Sequence, residues 1–182
     1  MKELSLHILD IVQNSIAAKA TRIDIKVVEN PDKNLLTITI TDNGSGMSPT
    51  ALKQATDPYY TSRQTRKVGL GLSLFKQAAE QCGGRFKIIS DPEAGTKIKT
   101  SMQYKHINRQ PMGDIAGVIT LLASSNPDIY FRYEHKTPSG KYVFDTLKIM
   151  KVIENISIAD PNILRFIREM IQENLRNINT TT

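Results

Sequence analysis

At 182 residues the chain has room for one domain, or one domain with an appendage. Its apolar fraction of 40% suffices for a core, and a single cysteine excludes an intrachain disulfide, so a cytoplasmic protein is expected. The formal charge of +6 permits acidic partners, but it is spread along the chain with no aromatic–basic motif, so a nucleic-acid partner is not expected. No Cys/His metal spacing and no apolar run of spanning length occur, which argues against a zinc site and a membrane span.

The first stretch, residues 3–19, has helical periodicity and no breaker. Ile8, Ile11, Val12 and Ile16 would face a sheet. Asp10 and Asn14 stand four apart, so they project from one face, one turn from each other. An Asn carbonyl is a hard oxygen ligand suited to Mg²⁺. A carboxylate one turn away can orient a water or accept a proton. Taken alone, the pair is equally a polar stripe on an amphipathic helix. His7 reads as a surface or capping histidine.

Residues 22–28 read as a strand, Asn30-Pro31-Asp32-Lys33-Asn34 as a turn, and residues 35–41 as a second strand. That second strand alternates branched apolar residues with threonines, so it is half-buried. It ends in Asp42-Asn43-Gly44-Ser45-Gly46-Met47. A carboxylate held at a strand end beside glycines can accept a hydrogen bond from a planar donor lying on the backbone. Ser48 and Pro49 suit a helix start, with the helix ending near Ala55.

Residues 56–68 read as a polar, basic loop carrying Tyr59, Tyr60, Arg63, Arg66 and Lys67. Arg63 and Lys67 are chemically suited to a terminal phosphate. Val68-Gly69-Leu70-Gly71-Leu72 then opens an amphipathic helix that stops at Gly83-Gly84. Glycines before a helix start let backbone N–H groups close on an anion. No Gly-Lys-Ser/Thr follows, so this is not a P-loop. Cys82 reads as a small packed residue. Residues 85–90 form a strand, Asp91-Pro92-Glu93-Ala94-Gly95 turns the chain, and residues 96–102 return.

In order and spacing, these stretches resemble the boxes of the GHKL family over roughly residues 4–102. Its members include DNA gyrase, Hsp90-type chaperones, sensor histidine kinases and mismatch-repair ATPases of the MutL type. Leu9-Asp10-Ile11-Val12-Gln13-Asn14-Ser15-Ile16 is similar to the first box of the mismatch-repair branch. Asp57-Pro58-Tyr59-Tyr60-Thr61-Ser62-Arg63 and the glycine turn resemble the histidine-kinase branch. The resemblance implies an α+β, two-layer α/β sandwich that binds ATP with Mg²⁺. It implies that Asn14 coordinates the ion and that Asp42 accepts the adenine amino group. Gly44, Gly46 and Met47 would lie along the base, with Thr96 supporting the pocket. Gly69, Leu70, Gly71 and Leu72 would wrap the phosphates, and Tyr60, Arg63 and Lys67 would close over them. Asp10 sits where hydrolysing members carry a glutamate that activates water, one methylene longer. Ala17 stands where the mismatch-repair pattern has an acid.

The resemblance stops near Tyr104, which divides the chain into residues 1–104 and 105–182. His106-Ile107-Asn108-Arg109-Gln110-Pro111 reads as a linker. Residues 113–125 read as a helix with Ile115, Val118, Ile119 and Leu122 on one face. Residues 128–135 and 141–145 form a hairpin around Thr137-Pro138-Ser139-Gly140. A short helix at 146–154 and a longer one capped by Asp160 complete an α-β-β-α-α extension, which is small for its own core and is expected either to form a small domain or to extend the first sheet. His106 and His135 read as structural, with no acidic partner nearby in sequence. The tail from Asn177 to Thr182 reads as frayed.

The first box begins within ten residues of Met1, so an autophosphorylating sensor kinase is not expected unless the phosphoacceptor hairpin is on another chain. Three readings follow: an ATPase whose motion works a partner protein, a kinase or anti-sigma-like switch acting on a separate protein, or an ATP sensor without turnover. Residues 105–182 are the expected partner-binding segment. Oligomeric state is not legible in the sequence.

Overall fold

The computed structural model describes residues 2–55, 70–154 and 156–180. The chain runs α1 (Leu4–Ala17), β1 (Arg22–Asn30), β2 (Leu35–Asp42) and α2 (Pro49–Gln54), then α3 (Leu70–Gln81), β3 (Arg85–Asp91) and β4 (Gly95–Gln103). It continues through α4 (Ile115–Ser125), β5 (Tyr130–Thr137), β6 (Gly140–Asp145), α5 (Thr146–Ile153) and α6 (Pro161–Asn177). The class is α+β, as the sequence implies.

The six strands form one sheet in the order β3-β4-β2-β1-β5-β6. All pairs are antiparallel except β1 with β5, which run parallel with Ile25 opposite Tyr133. A parallel pair needs a crossover connection, and the segment through α4 supplies one. The hairpin of the C-terminal extension therefore continues the sheet of the N-terminal part.

Strand alternation sorts the sheet into two faces. Ile23, Ile25 and Val27 of β1, Leu36, Ile38 and Ile40 of β2, and Phe131, Tyr133 and Phe144 are buried against the helices. Ile8, Ile11 and Val12 of α1, Phe75 of α3, Ile115, Ile119 and Leu122 of α4, and Ile167, Ile171 and Leu175 of α6 cover them. Each such side chain contributes about 1.5–3 kcal/mol on burial. Ser48 Oγ caps α2 by accepting from the Ala51 N–H at 3.2 Å, and Asp114 and Asp160 cap α4 and α6 in the same way.

Four expectations are corrected. The segment 106–111 is not a free linker: the Leu4 N–H donates to the Pro111 carbonyl, the Ser5 N–H donates to the next carbonyl, of Met112, and Met112 is buried. His7 is not a surface residue. It stacks on Phe75 at 5.0 Å between ring centres, and its Nε2 meets Gln110 Oε1 at 3.0 Å. Burial holds His7 at a pKa of about 4, against the opposing effect of Gln110. His135 does have an acidic partner, Glu29 of β1, at 2.7 Å, and its other ring nitrogen meets Tyr133 OH at 2.6 Å. The chain through Thr180 is tied down rather than frayed, because Ile178 is buried and its carbonyl accepts from Thr137 Oγ1. Sequence reading missed these because each partner comes from a distant element.

Candidate functional site

Three elements converge on Asp42. Strand β2 delivers it to the sheet end, where it pairs with Thr96 of β4. Its side chain is buried. Oδ1 accepts from the Gly44 N–H at 2.9 Å and the Thr96 N–H at 3.2 Å. Oδ2 accepts from Ser15 Oγ of α1 at 2.6 Å. A carboxylate offers about four lone-pair sites. Three are taken, so one acceptor position remains on Oδ2, held in a fixed direction.

The loop after Asp42 is braced from both sides. Asn43 Oδ1 accepts from the Thr21 and Arg22 N–H groups at 2.9 and 2.8 Å, and its Nδ2 donates to Thr21 Oγ1 at 2.9 Å. The Ser45 N–H donates to the Ala18 carbonyl at 2.9 Å, and the Glu93 N–H donates to the Ser45 carbonyl at 2.8 Å. Gly46 has φ +65°, and a Cβ there would lie 1.9 Å from the Asp91 carbonyl oxygen. Gly95 has φ +86°, and a Cβ there would lie 2.0 Å from the Asp42 carbonyl oxygen. Only glycine allows the two turns to close on each other. Ser90 Oγ meets Thr96 Oγ1 at 2.8 Å and donates to the Gly95 carbonyl at 3.0 Å, which fixes the Thr96 side of the site.

Asp10 and Asn14 lie on α1, both half-buried, with Asn14 next in sequence to the Ser15 that holds Asp42. Gly71 sits in the first turn of α3 against Asp10: a Cβ at Gly71 would lie 3.3 Å from both Cβ and Oδ2 of Asp10. The Asp10 carboxylate therefore stands by the N-terminal end of α3. Leu70 opens that helix, and Leu72 is buried under it. Gly44 is buried, and Gly46 and Met47 are half-buried in the braced loop. Tyr60, Arg63, Lys67 and Gly69, and the whole basic loop over 56–68, lie outside the described residues. So Asp42, Gly44, Gly46 and Thr96 come together around the strand end, and Asp10 meets Gly71, while Asn14 is set one turn from Asp10 on α1 and Met47 and Leu72 follow in the loop and in α3.

Ser15 is the residue that sequence reading missed. Its only signal was its position next to Asn14 in the first box, with one apolar neighbour on the other side. The residues present fit a hard divalent ion. Mg²⁺ takes one or two protein oxygens and otherwise substrate phosphates and water, and Asn14 supplies such an oxygen. Among the described residues no cluster of three His, Cys, Asp or Glu side chains forms a self-sufficient metal cage. No helix among the described residues is long and apolar enough to cross a membrane.

The chain is similar to bacterial sensor proteins. It is 29% identical over 100 residues to the C4-dicarboxylate transport sensor protein DctB of Pseudomonas aeruginosa, covering 54% of this chain and 16% of that protein. It is 30% identical over 111 residues to the sensor histidine kinase YxdK of Bacillus subtilis, covering 57% of this chain and 34% of that protein. The chain thus spans about a third of the one relative and about a sixth of the other. Among solved structures, the Aquifex aeolicus MutL ATPase domain complexed with ADP superposes with a TM-score of 0.56 at 15% identity, over 85% of this chain and 70% of that one. The N-terminal domain of a DNA repair protein superposes with a TM-score of 0.55 at 20% identity, over 79% of this chain and 52% of that one. At those identities the likeness establishes the fold. Residues 2–106 match the family described as histidine kinase-, DNA gyrase B-, and HSP90-like ATPase, and with this fold and this strand-end carboxylate the chain belongs to that ATP-binding family.

Proposed function

We propose that the chain binds Mg-ATP with the adenine amino group on Asp42, turns it over slowly, and uses that cycle to regulate a partner protein held by residues 105–182. The observation that carries the reading is the single acceptor position left on a buried carboxylate whose other three positions are taken. An exocyclic amino group donates in the plane of its ring, so one fixed acceptor selects both the group and the ring orientation.

Asn14 would hold Mg²⁺ through its side-chain carbonyl. The ion supplies neutralisation of the phosphate oxygens as charge moves in phosphoryl transfer. The N-terminal end of α3 favours anions through the helix dipole. Asp10 stands beside that end and would take the proton from a water attacking the γ-phosphorus, as ADP leaves. Thr96 and the Gly44 N–H would keep Asp42 oriented.

A specific observation favours a second reading. Aspartate at position 10 falls about one bond length short of a glutamate, and a base must come within about 3 Å of its proton or act through water. A chain that binds ATP and does not turn it over would act as a sensor. Incubation with γ-labelled ATP and a cell extract distinguishes the readings: free phosphate supports the ATPase, labelled protein supports a kinase, and tight ATP binding with neither supports the sensor. Failure of Asp42→Asn to weaken ATP in a calorimetric titration would overturn all three.

A further inference from the structure

The sheet face turned away from the helices carries its own pattern. Across β3 and β4, Arg85 lies opposite Ser101, Lys87 opposite Lys99, and Ile89 opposite Lys97. Across β4 and β2, Lys99 lies opposite Thr39, Lys97 opposite Thr41, and Thr37 opposite Ser101. These positions alternate with the buried Ile98, Thr100 and Ile40, so they share the outer face. Arg85, Lys87, Lys97 and Lys99 are all exposed. Among the described residues, none of the four has an acidic partner.

One acid of this face, Asp91 at the end of β3 opposite Gly95, is exposed on the same alternation as Arg85 and Lys87; the others sit on the other half and are already engaged. Asp24 takes Arg22 at 2.7 Å, and Glu134 takes Lys26 at 2.9 Å and Arg132 at 2.6 Å. The hydrogen bond from Lys26, aided by Arg132, holds Glu134 below its usual carboxylate range. Asp145 accepts from Tyr130 OH at 3.1 Å and caps α5. The β3–β4–β2 half therefore sets four cations against the single carboxylate of Asp91 and is net positive. Lys87 directly opposite Lys99 is a like-charge cross-strand pair, which destabilises a sheet. An anion laid across the face would relieve it.

The side chains discriminate among anions. A protein interface wants aromatic, Met and Arg residues at its centre and is depleted in Lys. Here three of the four cations are lysines, and the large exposed apolar side chains on this half are Ile89 and, at the far end of β2, Leu35. Phosphate-backbone contacts, by contrast, come from Lys, Arg, Ser and Thr, and this half-face offers those types. Single-strand binders add aromatic platforms on which bases stack. The aromatic ring of this face, Tyr130, lies on the other half and is covered by the Arg22 guanidinium at 5.0 Å. Residues two apart on a strand lie about 6.7 Å apart, and neighbouring strands about 4.8 Å. Such a grid offers regularly spaced cations to the regularly spaced phosphates of a nucleic-acid backbone.

We propose that the outer face of β3, β4 and β2 binds the backbone of a nucleic-acid duplex without reading its sequence, through Arg85, Lys87, Lys97 and Lys99 with the hydroxyls of Thr39, Thr41 and Ser101. The face is separate from the ATP site, so this inference does not depend on nucleotide binding. Sequence reading disfavoured nucleic acid because the four cations are scattered along the chain; the strand register brings them onto one surface.

Fluorescence anisotropy of the full chain with a labelled 20-base-pair DNA duplex tests it, across salt concentrations. Four phosphate contacts give a slope of log K against log salt of about −3.6, or roughly a 150-fold loss of affinity between 50 and 200 mM salt. Scrambling the duplex sequence should leave the affinity unchanged. Changing all four cations to glutamine should bring the slope close to zero while ATP affinity stays at the parent value. Lys87→Glu alone should weaken duplex binding at least tenfold and raise the melting temperature, because it turns a repelling cross-strand pair into an attracting one. The proposal is overturned by no salt-sensitive binding at 50 mM salt, by an unchanged slope in the glutamine variant, by a preference for the single strand, or by tighter capture on phosphatidylserine vesicles than on the duplex.

Discussion

Ser15 Oγ on α1 donates to Asp42 Oδ2 on β2 at 2.6 Å, across 27 positions of sequence and inside the core. The bond joins the helix that carries Asp10 and Asn14 to the carboxylate proposed to hold adenine. One hydroxyl therefore couples the proposed base-binding and phosphate-binding halves of the site. Ser15→Ala removes a donor to a charged group, which costs about 1.5–3 kcal/mol of stability. Urea unfolding measures the loss, and ATP titration of the same variant should show weaker binding. A variant as stable as the parent would mean the bond adds nothing net.

Asp42→Asn should weaken ATP by about 1–3 kcal/mol, the scale of a hydrogen bond to a charged group. The geometry dictates how. Two backbone N–H groups converge on the Oδ1 position, so the amide oxygen must go there. The amide nitrogen then occupies the Oδ2 position and presents a donor to the adenine amino group, another donor. Ser15 can turn its hydroxyl to accept from that nitrogen, so the fold should survive. Calorimetry with ATP, alongside a thermal melt showing an intact fold, checks both halves.

Asn14→Ala should lower affinity for Mg-ATP more than for ADP without metal, because Asn14 would act on the nucleotide through the ion. Equal losses for both ligands would make Asn14 a plain helix residue.

Asp10 and Gly71 should act together. Asp10→Asn is expected to lower turnover by about 10²–10⁴-fold with ATP binding spared, the usual worth of general-base assistance. Gly71→Ala places a methyl at 3.3 Å from the Asp10 carboxylate and must shift it by a few tenths of an ångström. Alanine also favours the helix by about 1 kcal/mol over glycine. The expected result is a chain at least as stable that hydrolyses ATP several-fold more slowly in a phosphate-release assay.

His7 makes stability depend on pH. Its folded pKa of about 4 lies below the ordinary 6.5, because burial penalises the charged ring. Between those values the unfolded chain binds a proton that the folded chain does not. The contribution is fully present above pH 6.5 and is lost as pH falls to 4, about 3 kcal/mol in all. His7→Phe keeps a ring on Phe75 and should flatten unfolding free energy across that window. The buried His135–Glu29 pair gives a separate test: His135→Leu takes the imidazole from Glu29 Oε1, leaving Tyr104 OH on Oε2 at 3.1 Å, and should cost about 1–3 kcal/mol in urea unfolding.

The sequence alone determined what is encoded locally. The periods of 3.6 and 2 mark α1, α3, α4, β1 and β2, and the side-chain caps at Ser48, Asp114 and Asp160 start their helices where their chemistry requires. The strand-end Asp42 and its glycines announce an acceptor beside open backbone, and the order of the boxes indicates the family. What depends on residues far apart was decided only by the tertiary structure. Ser15 meets Asp42, Glu29 meets His135 across 106 positions, and residues 104–112 close on the start of α1, because packing, not proximity in sequence, chooses those partners. The parallel pairing of β5 with β1 makes the C-terminal hairpin part of one sheet, which no local signal specifies. The same register turns four scattered cations into one surface, because side chains two apart on neighbouring strands share a face only once the strands are aligned.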